Sequence, residues 1–301
     1  MLDRLAPAVF VLLWSTGWIV AKYAAVHADP ITFLAVRHAL TAVAFAGLAL
    51  AMGASWPQGR TLWGRALFCG IFLHGLYLAG VWYAIGRGVP AGLSGVIAGL
   101  QPLLTAMAAP LFLGERLTRV QKIGLGLGFS GILIAISPQL LDAAERGLSG
   151  LALPVAINLI AMVSVTYGTL YQKRHLQDGN LLSIACLQFI GAFIVTLPLA
   201  LSLETVRFDW TGEAIAAMAW SVLGLSVAAV ALLLYLIRRG QVSRAASLIY
   251  LMPPMVAIEA AILFGEPLTP PMVIGTLIVV AGVWMVGRAT PKEKLEPVGA
   301  Q

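Results

Sequence analysis

Besides Lys22 near the end of the first apolar stretch, two charges stand well inside stretches that are otherwise apolar for about twenty residues at a time: Glu259 in MVAIEAAILF and Arg37 in PITFLAVRHAL. A charge in hydrocarbon costs about 3 kcal/mol or more unless something pairs it. Glu259 therefore reads in two ways. It forms an ion pair with Arg37 that joins the two stretches, or it is an acid able to take up and release a proton inside the bilayer. Neutral polar groups also fall near mid-depth: His74, Tyr77, Gln101, Asn158, Ser164 and Tyr250, with Tyr167 well inside its stretch. Trp14 and Trp18 are four apart and so share one face of the first helix. An apolar pocket with a few convergent polar groups suits an aromatic or bulky solute, and helix packing by large side chains is the competing account of each aromatic.

Prolines add a mechanical feature. Pro102 and the Pro253–Pro254 pair lie near the middle of two long apolar stretches, where each missing N–H frees a carbonyl for a neighbour, water or ligand. They are candidate hinges, and a packing kink without ligand contact is the alternative.

The elements that must position these residues follow from composition. Hydrophobic residues make up 60% of the 301, charged residues only 11%, and the mean hydropathy is +0.92. A soluble domain carries about a quarter charged residues, so this chain belongs in lipid. A spanning helix needs about 20 apolar residues. Ten such stretches can be drawn, at 5–25, 30–52, 62–85, 90–113, 119–137, 151–173, 180–203, 213–237, 242–264 and 270–289. The expected fold is an all-α integral membrane protein, and the first stretch is too long for a signal peptide.

Charge placement orients it. With the N-terminus inside, alternate segments collect Arg4, Arg60, Arg65, Arg116, Arg119, Lys122, Lys173, Arg174, Arg238, Arg239, Arg244, Arg288, Lys292 and Lys294, whereas the other loops hold only Arg87, Arg146 and Arg207. The bias predicts both termini in the cytoplasm, and it accounts for the net charge of +6 without nucleic acid.

Sliding the chain against itself by 151 residues exposes a duplication. FLGERLTRVQKIG at 112–124 returns as LFGEPLTPPMVIG, and positions 100–131 hold eleven identities with 251–282. Composition alone gives about three or four. The same register sets Lys22 against Lys173 and Arg37 against Gln188. Five spans is an odd number, so two such halves enter the membrane in opposite senses, and inverted halves are the usual basis of alternating access. The halves are 1–138 and 150–289, with 290–301 a cytoplasmic tail.

The pattern Pro102, Gly114, Glu115, Leu117, Thr118, repeated at Pro253, Gly265, Glu266, Leu268 and Thr269, together with PITFLAVRHAL, resembles the ten-span EamA-type members of the drug/metabolite transporter superfamily over nearly the whole chain. The resemblance implies a bacterial inner-membrane carrier that exports amino acids or related metabolites by alternating access, and the general character is similar to the aromatic amino acid exporters. Its partners would be a small-molecule substrate and the lipid bilayer, with no nucleic acid. The chain departs from the family form at Gln188, which occupies the place of Arg37 in the second half.

Other chemistry is poorly supported. Cys69 and Cys186 lack metal-ligand spacing, no HExxH, P-loop or dinucleotide loop is present, and neither metal nor cofactor is expected. GFSG at 128–131 superficially resembles a serine protease motif, but Gly-x-Ser-Gly recurs at 92–95 and 147–150, and the one histidine after Ser130 is His175. A carrier for a drug-like cation or a sugar conjugate is the stronger alternative, with Glu259 the acid a cation would need.

Overall fold

A computed structural model describes residues 2–113, 117–146, 150–177, 179–229, 231–232 and 251–289. Helices account for nearly all of them. The first five expected stretches correspond to α1 (Leu2–His27), α2 (Pro30–Ala51), α3 and α4 (Arg60–Gly70 and Tyr77–Gly86), α5 and α6 (Ala91–Ala98 and Leu100–Leu113), and α7 (Arg119–Ala135). After α8 (Ser137–Arg146) come α9 (Ala152–His175), α10 (Leu181–Leu203), α11 (Gly212–Ala219), α12 (Met252–Phe264) and α13 (Pro270–Ala289). Seven helical segments are long and apolar enough to cross a membrane by length and composition. Tyr250, Glu115, Arg116 and the basic residues at 238, 239, 244, 292 and 294 lie outside the described residues.

Sequence-equivalent helices pack on one another. Helix α10 covers the residues that α2 becomes after a shift of 151, and the two run antiparallel: Thr32 meets Glu204 and His38 meets Thr196 near one end, while Ala42 meets Cys186 further along. Helices α7 and α13 form a second such pair. A Cβ placed on Gly124 would lie 2.7 Å from the Gly282 carbonyl, and one on Gly275 would lie 2.5 Å from that of Gly131. Those glycines are repeat partners exchanged across the contact, 124 with 282 and 131 with 275, as a two-fold related surface requires. Bare backbone allows this approach where lipid provides no hydrophobic drive between helices.

The third stretch of each half is interrupted in the same way. A π-helical segment, Ile71–Leu76, separates α3 from α4, and another, Trp220–Ala228, follows α11. Shifted by 151, the first lands at 222–227, inside the second. A π turn leaves carbonyls with poorer partners. Ser164 supplies one, its hydroxyl donating to the Phe72 carbonyl at 2.9 Å, and Ser226 donates to the Ser221 carbonyl at 3.2 Å.

The repeated Gly-Glu-x-Leu-Thr motif acquires a physical reading in its second copy. Gly265 ends α12 at φ +64°, a left-handed conformation that glycine adopts without steric cost. Thr269 precedes α13 and its carbonyl accepts the Val273 N–H at 3.0 Å. In the first copy, Thr118 caps α7 by a reciprocal pair with Gln121: the Thr118 side chain accepts the Gln121 N–H at 3.2 Å, and the Gln121 side chain accepts that of Thr118 at 2.9 Å.

Candidate functional site

Glu266 shows what a buried carboxylate looks like when the fold provides for it. It ion-pairs with Lys22 of α1 and accepts the Ala91 N–H at 2.9 Å and the Gly92 N–H at 3.0 Å. Those are the first two N–H groups of α5, which have no partner within their own helix and present the positive end of its dipole. Glu204 acts likewise on α2, accepting the N–H groups of Ile31 and Thr32 at 2.8 and 2.7 Å and the Thr32 hydroxyl at 2.8 Å. Sequence reading treated Glu266 as part of a signature and missed this role. The register of Lys22 with Lys173, set beside the repeated glutamate, was the signal available.

Glu259 and Arg37 do not meet. The Glu259 carboxylate accepts the Ser15 hydroxyl at 2.7 Å, and its second oxygen is buried without a partner. The expected ion pair between them is therefore absent. They sit on helices that pack against different neighbours: α12 lies against α1 and α5, and α2 lies chiefly against α10.

Arg37 is 6% exposed, so its side chain is enclosed by protein. Its Nε has no hydrogen-bond partner, and no ion pair to it exists among the described residues. Its neighbours are the Trp82 ring, 5.9 Å from the guanidinium carbon, and Tyr77, with which it interacts electrostatically, as it does with His38 and His74. Such a charge left in hydrocarbon costs about 3 kcal/mol. His38 Nε2 and Thr41 Oγ1 are likewise buried without partners, giving three unmatched polar atoms within five residues of α2. Groups of this kind call for water, an ion or a ligand.

Aromatic rings wall this region. Phe33 stacks on Trp82 at 5.2 Å and on Phe208 at 5.7 Å, and Trp210 lies 4.1 Å beyond, so a column of rings leads from the loop after α10 down to Arg37. On the other side the His74 ring stacks on Phe189 at 4.4 Å, and His38 and Phe45 flank the same phenyl. The loop is tied down by Asp29, whose carboxylate accepts the Arg207 N–H at 3.0 Å and the Thr205 hydroxyl at 2.8 Å. Burial works against the Asp29 charge, but these bonds and the Arg207 charge outweigh it and hold the carboxyl below its ordinary value.

The remaining expected site residues are dispersed. Asn158 is fully buried and its amide donates to the Ser94 hydroxyl at 2.7 Å, joining α9 to α5, with its own oxygen unpartnered. Ser164 serves the π segment. Tyr167 belongs to a ring cluster with Phe68, Phe72 and Tyr171. Trp14 and Trp18 are separated, 45% and 5% exposed, because four residues turn a helix by 400° rather than 360° and this offset carries Trp14 off the packed face. Gln101 is half-buried in the first turn of α6. Pro102 is also in that first turn, and Pro253 and Pro254 are in the first turn of α12, so each begins a helix where its missing N–H costs nothing. The break in the fourth stretch falls at Gly99, between α5 and α6.

At Gln188 the second half is fully satisfied. Its amide nitrogen lies 2.9 Å from Gln172 Oε1 and 3.4 Å from the Cys69 sulfur. A separate groove of about 280 Å³ between α2 and α10 is lined by apolar side chains such as Ala42, Val43 and Phe193, and it contains none of the candidate residues.

Comparison with known proteins gives this arrangement a context. The model of the EamA-like transporter family matches twice, at residues 5–137 and 153–288, and the chain belongs to that family. An uncharacterized transporter of Bacillus subtilis, YvbV, is 26% identical over 97% of this chain and 93% of its own length. A probable amino-acid metabolite efflux pump of Salmonella typhimurium is 25% identical over 94% of each chain. One solved crystal structure superposes with a TM-score of 0.65 at 18% identity, covering 94% of this chain and 96% of that one, and so shares the fold. The family and the two named relatives are transporters, which speaks against the protease reading.

Proposed function

From membership of the EamA-like transporter family, we propose that this protein exports amino acids, aromatic or large neutral ones first, across a bacterial inner membrane by alternating access. It does so as ten spans in two inverted five-helix halves, 1–138 and 150–289, with both termini in the cytoplasm. The observation that carries the reading is the polar set of Arg37, His74 and Tyr77 held among aromatic rings inside membrane-length helices. An amphipathic solute with a charged head and an apolar side chain matches such an environment on both counts. The antiparallel packing of α2 with α10 and of α7 with α13 supports the inversion, and the paired π segments support equivalent roles for the third span of each half. The relative from Salmonella typhimurium, named as an amino-acid metabolite efflux pump, supports the solute class.

The clamp made by Lys22, Glu266 and the start of α5 supplies a closing contact on one side of the membrane, and the repeat assigns Lys173 and Glu115 the corresponding place on the other. A carrier of drug-like cations is the second reading, favoured by the unpartnered oxygen of Glu259. The Pro102 and Pro253–Pro254 helix starts are the proposed hinges.

Counterflow in proteoliposomes, with amino acids, quaternary cations and sugar conjugates compared side by side, tests the solute. Phenylalanine, tryptophan or leucine exchanging faster than any cation is the expected result, and a preference for cations reverses the assignment. Topology is tested by Arg116→Cys and Pro267→Cys variants labelled with an impermeant maleimide from each side. Both reacting from the same side would end the inverted-repeat reading.

A further inference from the structure

We propose that the Arg37 guanidinium, 5.9 Å from the Trp82 ring, is the docking point for the carboxylate of the transported solute. This rests on the reading of the protein as an amino acid carrier, and it names the chemical group the site recognises.

Among the described side chains every other carboxylate is engaged: Asp29 with Thr205 and Arg207, Glu204 with the start of α2, Asp209 with Arg207, Glu213 with His27, Glu259 with Ser15 and Glu266 with Lys22 and the start of α5. None of these acids reaches Arg37, although at 6% exposure it is the most deeply buried arginine or lysine described. A guanidinium is effectively always protonated, so burial cannot be relieved by loss of the proton. An anion must come from elsewhere. Arginine offers a planar fork of N–H donors that matches a carboxylate through two parallel hydrogen bonds, and it is weakly hydrated enough to give up water for one.

Three features place that anion as solute rather than as a structural ion. The unmatched Thr41 hydroxyl, one helical turn from Arg37 on the same face, can donate to a second carboxylate lone pair. Tyr77 and Trp82 come from a span interrupted by a π segment, a feature frequent at functional sites. The repeat partner of Arg37 is the neutral Gln188, whose amide already bonds Gln172 and Cys69, so at this position only the first copy carries a charge in want of a counter-ion. A duplication that retained the scaffold but a cation in one copy alone has one anion site per transporter, which suits a monocarboxylate.

The test uses full-length protein in proteoliposomes and a series that varies one group: L-phenylalanine, L-phenylalanine amide, phenethylamine and 3-phenylpropionate, each measured as an inhibitor of labelled phenylalanine exchange and, where labelled, as a substrate. Wild type is expected to recognise phenylalanine and 3-phenylpropionate at least tenfold better than the amide or the amine. Arg37→Gln is expected to lose that discrimination with a KM raised at least tenfold, and Arg37→Lys to retain part of it. The wild-type series needs no variant, so a folding defect in Arg37→Gln does not protect the proposal. Phenylalanine exchange by Arg37→Gln with KM within twofold of wild type overturns the carboxylate site while leaving the amino acid reading intact. Recognition of 3-phenylpropionate without any amino acid, dependent on Arg37, retains the site and overturns the amino acid reading. Equal recognition of the amide and the acid by wild type overturns the site outright.

Discussion

Positions 37 and 188 are the same place in two copies of one module, and the structure treats them oppositely. Gln188 is closed on every side: its amide is bonded to Gln172 and Cys69, and its backbone is so tightly approached by α3 that a Cβ on Gly70 would lie 1.9 Å from its carbonyl oxygen. Arg37 has a charge, the Trp82 ring 5.9 Å from its guanidinium carbon and an Nε without an acceptor. One copy has become framework and the other carries an uncompensated cation. The difference teaches that the fold does not need a charge at this position, since the copy with a neutral side chain is buried as fully and finds hydrogen-bond partners.

Glu266 provides the largest way to sharpen that contrast, because it is a buried charge the fold does pair. Glu266→Ala is expected to lower stability by about 3 kcal/mol, since it leaves Lys22 and two N–H groups of α5 without their acceptor. Thermal unfolding in detergent measures it, and a change below about 1 kcal/mol would place the clamp among merely incidental contacts. Arg37→Met is expected to move the other way, raising stability by about 2 kcal/mol as an unpaired buried charge becomes an apolar chain of similar length, while amino acid exchange is lost. A marked fall in melting temperature would mean that Arg37 has a structural partner.

Gln188→Ala is expected to cost about 1 kcal/mol, the usual worth of a buried hydrogen bond, with exchange retained. Loss of exchange in a folded Gln188→Ala protein would erase the distinction between the two copies. The smallest effect concerns the loop above the aromatic column. Asp29 has its carboxyl held below the ordinary value, so its contribution is present above the unfolded-state value of about 3.9 and is lost as pH falls through the lower folded-state value. The site is at the surface, so the effect is a few tenths of a kcal/mol. Protection factors at the Arg207 and Asp209 amides, corrected for the intrinsic exchange rate, are expected to fall on acidification below about pH 4, and Asp29→Asn to show the lower protection already at neutral pH with no acid step.

The architecture was largely legible in the primary sequence. Apolar runs of spanning length lie on helices within the described residues, and the 151-residue register identifies α2 and α10, and α7 and α13, as equivalent segments, because hydrophobic length and duplication are properties of the chain itself. Gly265 and Thr269 were legible as helix stop and start for the same reason, since caps act within one turn. The site was legible only in part. Arg37, Tyr77 and His74 were identified as polar groups in lipid and do come together. Asn158 and Ser164 were identified on the same grounds, yet they bond to Ser94 and to the Phe72 carbonyl, and nothing in their local sequence distinguishes a framework hydrogen bond from a free one.

What the chain by itself determined is therefore which segments form apolar helices and which positions correspond between its two family matches, both fixed by composition and local spacing. Tertiary structure alone decided the partners. It sent Glu259 to Ser15 instead of Arg37, gave Glu266 to Lys22 and the start of α5, and left Arg37 without an acid. The energy of a buried charge depends on what stands within a few ångströms of it in space, and residues 244 apart in sequence, such as Ser15 and Glu259 or Lys22 and Glu266, become neighbours only when the helices pack.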